Sequence, residues 1–128
     1  RDLDKDHYYS IYMPQRLAVE EINKVNMNNS PIGVFAPSIM AGLKADALYP
    51  SWYNVIFLDS IIKSTNQILM IDTMHHWGIE YILYDKNWKG IGEAHKDFIY
   101  EISNEIDSFG SISLREILFS RVFPVIVL

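Results

Sequence analysis

Apolar residues recur along the chain with two periods, which together predict alternating helices and strands. Spacings of three and four residues place Leu17, Ala18, Ile22 and Val25 on one helical face. Short apolar runs bounded by Pro, Gly or Asn instead predict strands. The predicted elements are a helix at 14–26, a strand at 32–36, a short helix at 38–45, a short strand at 47–49, a helix at 52–63, a helix from 64–66 to 77, a strand at 79–84, a helix at 93–106, and strands at 112–119 and 122–127.

Some of these boundaries leave an alternative open. Ser51 is predicted to cap the helix at 52–63, while a strand at 55–58 competes with that helix. The clearest unit joins a helix to a strand through Gly78, because glycine adopts a positive φ without a Cβ clash and turns the chain back sharply. This unit predicts a helix that packs against a sheet.

The order of the elements predicts a single α/β domain over residues 1–128, with residues 1–12 as a lead-in segment. We expect a three-layer sandwich with a Rossmann-like, mostly parallel sheet and a C-terminal antiparallel hairpin joined around Ser120 and Arg121. Pro124 lacks an amide donor, which places the last strand at a sheet edge or at a bulge.

Charge and composition narrow the classes of function. Sixteen acidic and eleven basic residues give a net charge of −5, and the basic residues are scattered, which argues against a nucleic-acid partner. Cysteine is absent, which excludes disulfides, thiolate metal sites and thiol nucleophiles. The apolar run at 117–128 is too short to cross a bilayer. Since the chain opens with Arg1, we expect it to be a piece of a longer protein.

Two short motifs resemble functional sites, but their spacing favours ordinary structural roles. Asp72, His75 and His76 have helical spacings, but adjacent histidines point about 100° apart on a helix, so both cannot share one metal. The pair Gly90 and Gly92 resembles a phosphate-binding loop, yet its third glycine position is Lys96. The sequence therefore predicts no catalytic residue, no metal site and no cofactor.

The best candidate ligand site is the loop that follows the short strand at 47–49. Its candidate residues are Tyr49, Trp52, Tyr53 and Asn54, and Asp85 joins them from the end of the central strand. Aromatic rings stack on sugars or lipid headgroups, and ligands of open α/β sheets favour the carboxyl ends of strands. The alternative is that these rings cap a helix and pack on the sheet, and that Asp85 begins an exposed turn.

The segments ALYPSWYN and ILMIDTMHHWGIEYILYDK, followed by a helix and a final pair of strands, carry a family resemblance. Over residues 14–128 the chain is similar to the soluble domain of polytopic membrane glycosyltransferases of the GT-C superfamily, which use polyprenyl-phosphate-linked sugars. The resemblance implies an accessory domain on the extracytoplasmic (periplasmic or external) face that helps to position donor or acceptor. The family's catalytic acidic residues lie between its membrane helices, and no residue here matches them.

Three functional hypotheses follow from these observations. The first is the non-catalytic accessory domain, whose partners are the membrane-embedded remainder of the same polypeptide and a sugar or lipid-linked sugar. The second is a free-standing Rossmann-like enzyme domain that binds a nucleotide or another small molecule. The third is an interaction domain that pairs with another chain through the apolar strand edge at 117–128.

Overall fold

The computed structural model describes residues 2–37 and 42–119, with side chains from residue 14 onward. In this part of the chain the elements are α1 (Asp2–Val25), β1 (Ile32–Phe35), β2 (Ala47–Leu48), α2 (Val55–Lys63), α3 (Gln67–His76), β3 (Tyr81–Asp85), α4 (Glu93–Glu101), β4 (Ser103–Phe109) and β5 (Ile112–Ile117). The predicted strand at 122–127 lies outside the described residues. So does the first half of the predicted helix at 38–45, and residues 42–45 form no helix.

The strands form one mixed sheet in the order β2-β1-β3-β5-β4. Strand β1 runs parallel to both β2 and β3, whereas β5 runs antiparallel to both β3 and β4. The predicted α/β class is thus confirmed, with parallel strands at one end of the sheet and antiparallel strands at the other. Strand β3 is the boundary between the two halves.

Two apolar clusters hold the sheet to the helices. Ile82 and Tyr84 of β3 belong to a cluster with buried residues of α2, α3 and α4, while Leu83 between them belongs to a cluster with α1. Successive side chains of a strand point to opposite faces, so β3 is buried on both of them. This double burial accounts for the nearly continuous apolar run of β3.

Helix α1 begins twelve positions before the predicted start at Pro14, since it spans Asp2–Val25 with Pro14 inside. The prediction took Pro14 for a first-turn residue, because proline lacks the N–H that interior helical residues donate. Here the helix continues through the proline. The segment predicted as a lead-in is therefore helical from Asp2 onward.

Helix α2 is capped by Asn54 and not by the predicted Ser51. The Asn54 side chain accepts a hydrogen bond from the Phe57 amide at 3.2 Å, and the Ser51 carbonyl accepts one from the Asn54 amide at 2.9 Å. Trp52 and Tyr53 consequently lie in a turn before the helix. The competing prediction of a strand at 55–58 is wrong, because these residues form the first turn of the capped helix.

The largest error lies after α4, which was predicted to continue to Ile106. The helix ends at Glu101, and residues Ser103–Phe109 form strand β4, which pairs with β5 across the turn at Gly110 and Ser111. The predicted hairpin turn at Ser120 and Arg121 lies outside the described residues. Because β4 is an edge strand with mostly exposed side chains, it lacks the apolar alternation that would identify it.

The predicted turn at Gly78 is confirmed. Trp77 ends α3, Gly78 has φ +71°, and the Ile79 amide donates to the Met74 carbonyl at 2.9 Å. A Cβ at Gly78 would lie no closer than 3.8 Å to its neighbour, the Pro31 side chain. Backbone conformation, and not lack of space, is therefore what requires glycine here. Within the described residues, no helix combines the length and the apolar character that a membrane span requires.

Replacing Gly78 tests this requirement. We expect Gly78→Ala to lower the free energy of unfolding by about 1–2 kcal/mol, because the alanine Cβ comes too close to the following carbonyl oxygen in the left-handed region. Gly78→Asn should lose clearly less, since asparagine tolerates that region. Urea unfolding followed by tryptophan fluorescence measures both. Equal losses for the two variants would show that φ is not the determining factor.

Candidate functional site

The predicted loop presents two aromatic rings to solvent. Trp52 and Tyr53 are 72% and 82% exposed and stack on each other, with ring centroids 3.9 Å apart and planes 29° apart. Each ring therefore covers one face of the other. The Asn54 side-chain oxygen is already used to cap α2. The loop thus offers an exposed aromatic surface more readily than a set of convergent polar groups.

The other two predicted residues lie apart from this stack. Tyr49 is partly buried against the cluster that includes α1, and burial raises the pKa of its hydroxyl. Asp85 ends β3, two strands from β2, a separation of about 10 Å at ordinary strand spacing. In the described chain, no hydrogen bond joins the Asp85 side chain to Trp52, Tyr53 or Asn54. The structure brings together Trp52 and Tyr53 from this set.

Asp85 instead organises the loop that leaves β3. Its carboxylate accepts a hydrogen bond from the Asn87 amide at 2.9 Å, and its carbonyl accepts one from the Trp88 amide at 3.1 Å. Asparagine and aspartate commonly make such contacts two residues ahead in turns. The Asp85 side chain is also buried. These contacts give it a local structural role.

Lys96 closes the same loop from α4, and sequence analysis missed that role. The residue is 1% exposed, and its ammonium donates to the carbonyls of Asp85 at 3.1 Å and Lys86 at 2.9 Å, and to that of Trp88. It also lies 5.2 Å from the centroid of the Tyr84 ring. Three acceptors match the three donors of an ammonium group. Within the part of the chain that the structure describes, Lys96 therefore holds the loop in place without a carboxylate partner.

The glycines of this loop have a structural explanation. A Cβ at Gly90 would fall 1.9 Å from a ring atom of Trp88, so the indole occupies the space that a side chain would need. Gly92 precedes α4, whose first turn carries Glu93. A carboxylate at a helix start disfavours a phosphate there. The local structure thus gives the glycines a role that needs no nucleotide.

The two histidines of α3 diverge, as predicted. His76 and Asp72 line a groove of about 360 Å³ between α2 and α3, whereas His75 lines a separate groove of about 410 Å³ beside Phe119. In the chain that the structure describes, no three His, Asp or Glu side chains are grouped as metal ligands. Trp77 lines the groove that contains His76. Its indole N–H is buried and has no hydrogen-bond partner among the described residues.

A second buried cation, Arg115 of β5, is 4% exposed and lies against Tyr100 of α4. Its guanidinium donates to the Ser103 hydroxyl at 2.7 Å, the Ser113 hydroxyl at 3.2 Å, the Ser103 carbonyl at 2.8 Å and the Tyr100 carbonyl at 3.1 Å. The guanidinium carbon lies 4.1 Å from the Tyr100 ring centroid. These contacts tie β4, β5 and α4 together.

Arg115 lines a cavity of about 640 Å³. Its other lining residues are polar or aromatic side chains from α3, α4 and β4: Gln67, Tyr100, Glu101, Ser103, Asn104 and Glu105. Sequence reasoning missed this site too. The available signal was strand alternation, because Ser113, Arg115 and the buried Ile117 share one face of β5.

Tyr84 connects the surroundings of the two buried cations. Its ring lies 5.9 Å from that of Tyr100. Burial raises the pKa of Tyr84 above its usual 10.0, the carboxylates of Asp97 and Glu93 raise it further, and Arg115 lowers it. The net shift is upward, so the neutral phenol is the form that the fold stabilises.

The fold and its sites define a mixed α/β domain with two buried cations and an exposed aromatic stack. Comparisons with protein-family models, with curated proteins and with solved structures found no match.

Removing the Lys96 ammonium should open the loop at 86–92. We expect Lys96→Met to lower the free energy of unfolding by about 2 kcal/mol, because the Lys86 and Trp88 carbonyls lose a buried donor. Lys89→Met, at an exposed lysine of the same loop, should change it by less than about 0.5 kcal/mol. Urea unfolding and amide hydrogen exchange of the loop measure the difference. Equal effects of the two substitutions would contradict this role of Lys96.

The raised pKa of Tyr84 predicts a loss of stability in alkali. Below pH 10 the phenol is protonated in both states, so its contribution is fully present. As the pH rises beyond that value the unfolded chain releases the proton first, and the contribution is lost as the pH passes through the raised native pKa. Tyr84→Phe should therefore show a smaller fall in urea midpoint between about pH 9 and about pH 11 than the wild type.

The control for this experiment is Tyr53→Phe, at a ring that is 82% exposed. It should follow the wild-type fall. A fall in Tyr84→Phe as steep as that in Tyr53→Phe would show that burial of Tyr84 does not cause the alkaline instability. Some fall should remain in both variants, because burial also raises the pKa of Tyr49 and of Tyr81.

Proposed function

We propose that this domain is a non-catalytic accessory module of a membrane glycosyltransferase, and that it docks on the membrane-embedded remainder of the same polypeptide. The observation that carries the proposal is an exposed apolar surface on and before α2, which we call the α2 surface. Five large side chains, each at least 50% exposed, form it: Trp52, Tyr53, Val55, Ile56 and Ile62.

The α2 surface follows from the helical repeat. At 100° per residue, Val55, Ile56 and Ile62 lie on one side of α2, opposite the buried Phe57 and Ile61. A helix that is apolar on both sides normally has a covering layer on each. The sheet and α3 cover one side of α2. We infer that a second apolar surface, from a partner, covers the exposed side of α2.

The charge and residue types of the α2 surface favour a membrane-proximal partner. Asp59, which lies among these apolar residues, pairs with Lys63 at 2.7 Å, so the surface carries little net charge. Tryptophan and tyrosine are the residues that concentrate at membrane interfaces, where one edge of the ring stays hydrated. A polytopic polypeptide offers such an environment directly beside an appended domain. The family resemblance supports the same partner.

Docking on the membrane-embedded part also suggests where the domain lies and what it does there. The domain would face the extracytoplasmic side and help to position donor or acceptor sugar, and its sheet would form the middle of a Rossmann-like three-layer sandwich. The two apolar clusters, one with α1 and one with α2 to α4, support that layering. Catalysis would belong to the membrane-embedded part.

The cysteine-free sequence provides a direct test, because a single introduced thiol is unique within the domain. In intact cells that express the full polypeptide, we expect a membrane-impermeant maleimide to label Met27→Cys and to leave Ile56→Cys protected. Both positions are more than 70% exposed in the domain, at 85% and 73%. Protection at residue 56 therefore reports docking, and labelling at residue 27 reports the side of the membrane.

Three outcomes would contradict the proposal. Equal labelling at both positions would exclude docking through the α2 surface. Labelling of Met27→Cys only after lysis would exclude the extracytoplasmic side. A gene that encodes no hydrophobic segments of about 20 residues beside this domain would exclude the membrane parent. The isolated domain, in which both thiols should react alike, is the matched control.

A further inference from the structure

We propose that the Arg115 cavity is a binding site for a neutral carbohydrate of one or two sugar rings. This inference deepens the accessory role, on which the biological meaning of the sugar rests. The cavity shares no residue with the α2 surface. Sugar binding and docking are therefore separable properties of the domain.

The buried guanidinium of Arg115 has one donor that the described residues do not use. A guanidinium has five N–H groups, and in the described structure the hydrogen bonds of Arg115 use four of them. One N–H of Nη1 is left for an acceptor in the cavity that the residue lines. The cavity is open to solvent, so a ligand oxygen at this place would replace water as the acceptor of a charged donor.

The charged groups around this donor favour a neutral ligand. Glu101 and Glu105 line the same cavity, and Glu105 accepts from the Ser113 hydroxyl, which in turn accepts from Arg115. The two carboxylates and the guanidinium largely offset one another, so neither an anionic nor a cationic ligand gains a strong net attraction that would offset the loss of its own hydration. The arrangement selects a neutral ligand that both donates and accepts hydrogen bonds.

The lining of the cavity combines hydrogen-bonding side chains with an aromatic ring, which are the groups that bind sugars. Carboxylates accept hydrogen bonds, whereas the amides of Gln67 and Asn104 both donate and accept them, as the vicinal hydroxyls of a sugar require. Tyr100 is 54% exposed as a residue, and Arg115 lies over its ring. Its exposed part offers an apolar surface for the C–H groups of a sugar.

The size of the cavity agrees with such a ligand. A volume of about 640 Å³ lies within the usual range of roughly 300–1,000 Å³ for small-molecule sites. The residues come from α3, α4, β4 and β5, so a bound sugar would contact four elements at once. The predicted loop at Trp52 lacks this convergence of polar groups.

The test is a titration of the isotopically labelled domain, followed by amide chemical shifts. The neutral probes are glucose, galactose, mannose and maltose, and the charged probes are glucuronic acid and glucosamine. We expect at least one neutral probe to bind with a Kd in the millimolar range or below and to shift the amides of residues 100–105 and 115. The matched charged sugars should bind at least about threefold more weakly, because each loses hydration of its ionic group without a matching net attraction from the mixed charges of the cavity.

Two exposed asparagines provide matched variants. Asn104→Ala, in the cavity, should weaken binding of that neutral probe about threefold to tenfold by removing one hydrogen-bonding side chain. Asn28→Ala, outside the cavity, should leave the Kd unchanged. Arg115 itself is a poor test position, because its loss would also release β4 from α4.

The results that overturn the proposal are distinct from those that overturn docking. Absence of shifts at residues 100–105 with every neutral probe, tighter binding of a charged probe, or equal Kd values for the two asparagine variants would each refute the sugar site. Protection of residue 56 in the full polypeptide would stand in all three cases. Conversely, a saturable sugar site with a fully labelled residue 56 would remove only the docking proposal.

Discussion

The burial of β3 on both faces is the constraint on which the rest of this structure depends. Ile82 and Tyr84 complete one apolar cluster and Leu83 completes the other, so the helices on either cluster are fixed relative to the same strand. A strand in that position has no tolerance for a register shift, because a shift of one residue would exchange its two faces. Gly78 matters for this reason: it sets the point at which the chain enters β3.

Among the described residues two cations are buried beside this strand: Lys96 at its carboxyl end and Arg115 opposite Ile82 on β5. Lys96 holds the loop after Asp85, because its ammonium donates to the carbonyls of Asp85, Lys86 and Trp88. Arg115 plays the corresponding part between β4, β5 and α4. In both places the positive charge is met by neutral oxygens and a tyrosine ring. Lys96 uses all three of its donors internally, whereas Arg115 keeps one for the cavity.

Local signals in the sequence identified much of the fold. The pattern from α3 through Gly78 to β3 was readable because the helical period, the glycine and the strand run agree with one another. The cap of α2 was misassigned because Ser51 and Asn54 are both good capping residues, and only the turn at 51–54 decides between them. Strand β4 was missed because an edge strand with acidic, exposed side chains carries no apolar period. Pairing with β5 selects it, and that is tertiary information.

The candidate sites were harder to predict, for the same physical reason. Trp52 and Tyr53 are neighbours in sequence, and their exposure could be anticipated from the loop. The Arg115 cavity is assembled from α3, α4, β4 and β5, and three of its residues, Ser103, Asn104 and Glu105, lie on β4, where the sequence predicts a helix. Without β4, neither the turn at Gly110 nor the position of Glu105 near Ser113 could be derived.

The two halves of the mixed sheet differ in the conformational entropy that the chain loses when their strands pair. The antiparallel pair β4 and β5 closes across a tight turn, with Phe109 opposite Ile112, whereas the parallel pair β1 and β3 joins Gly33 to Ile82, 49 residues apart by subtraction. Loop-closure entropy grows with the length of the enclosed chain, so the hairpin half is entropically inexpensive and the parallel half is not. The α2 surface belongs to the segment enclosed by that long closure. Its presentation therefore depends on the cooperative folding of the whole domain, and not on any local motif.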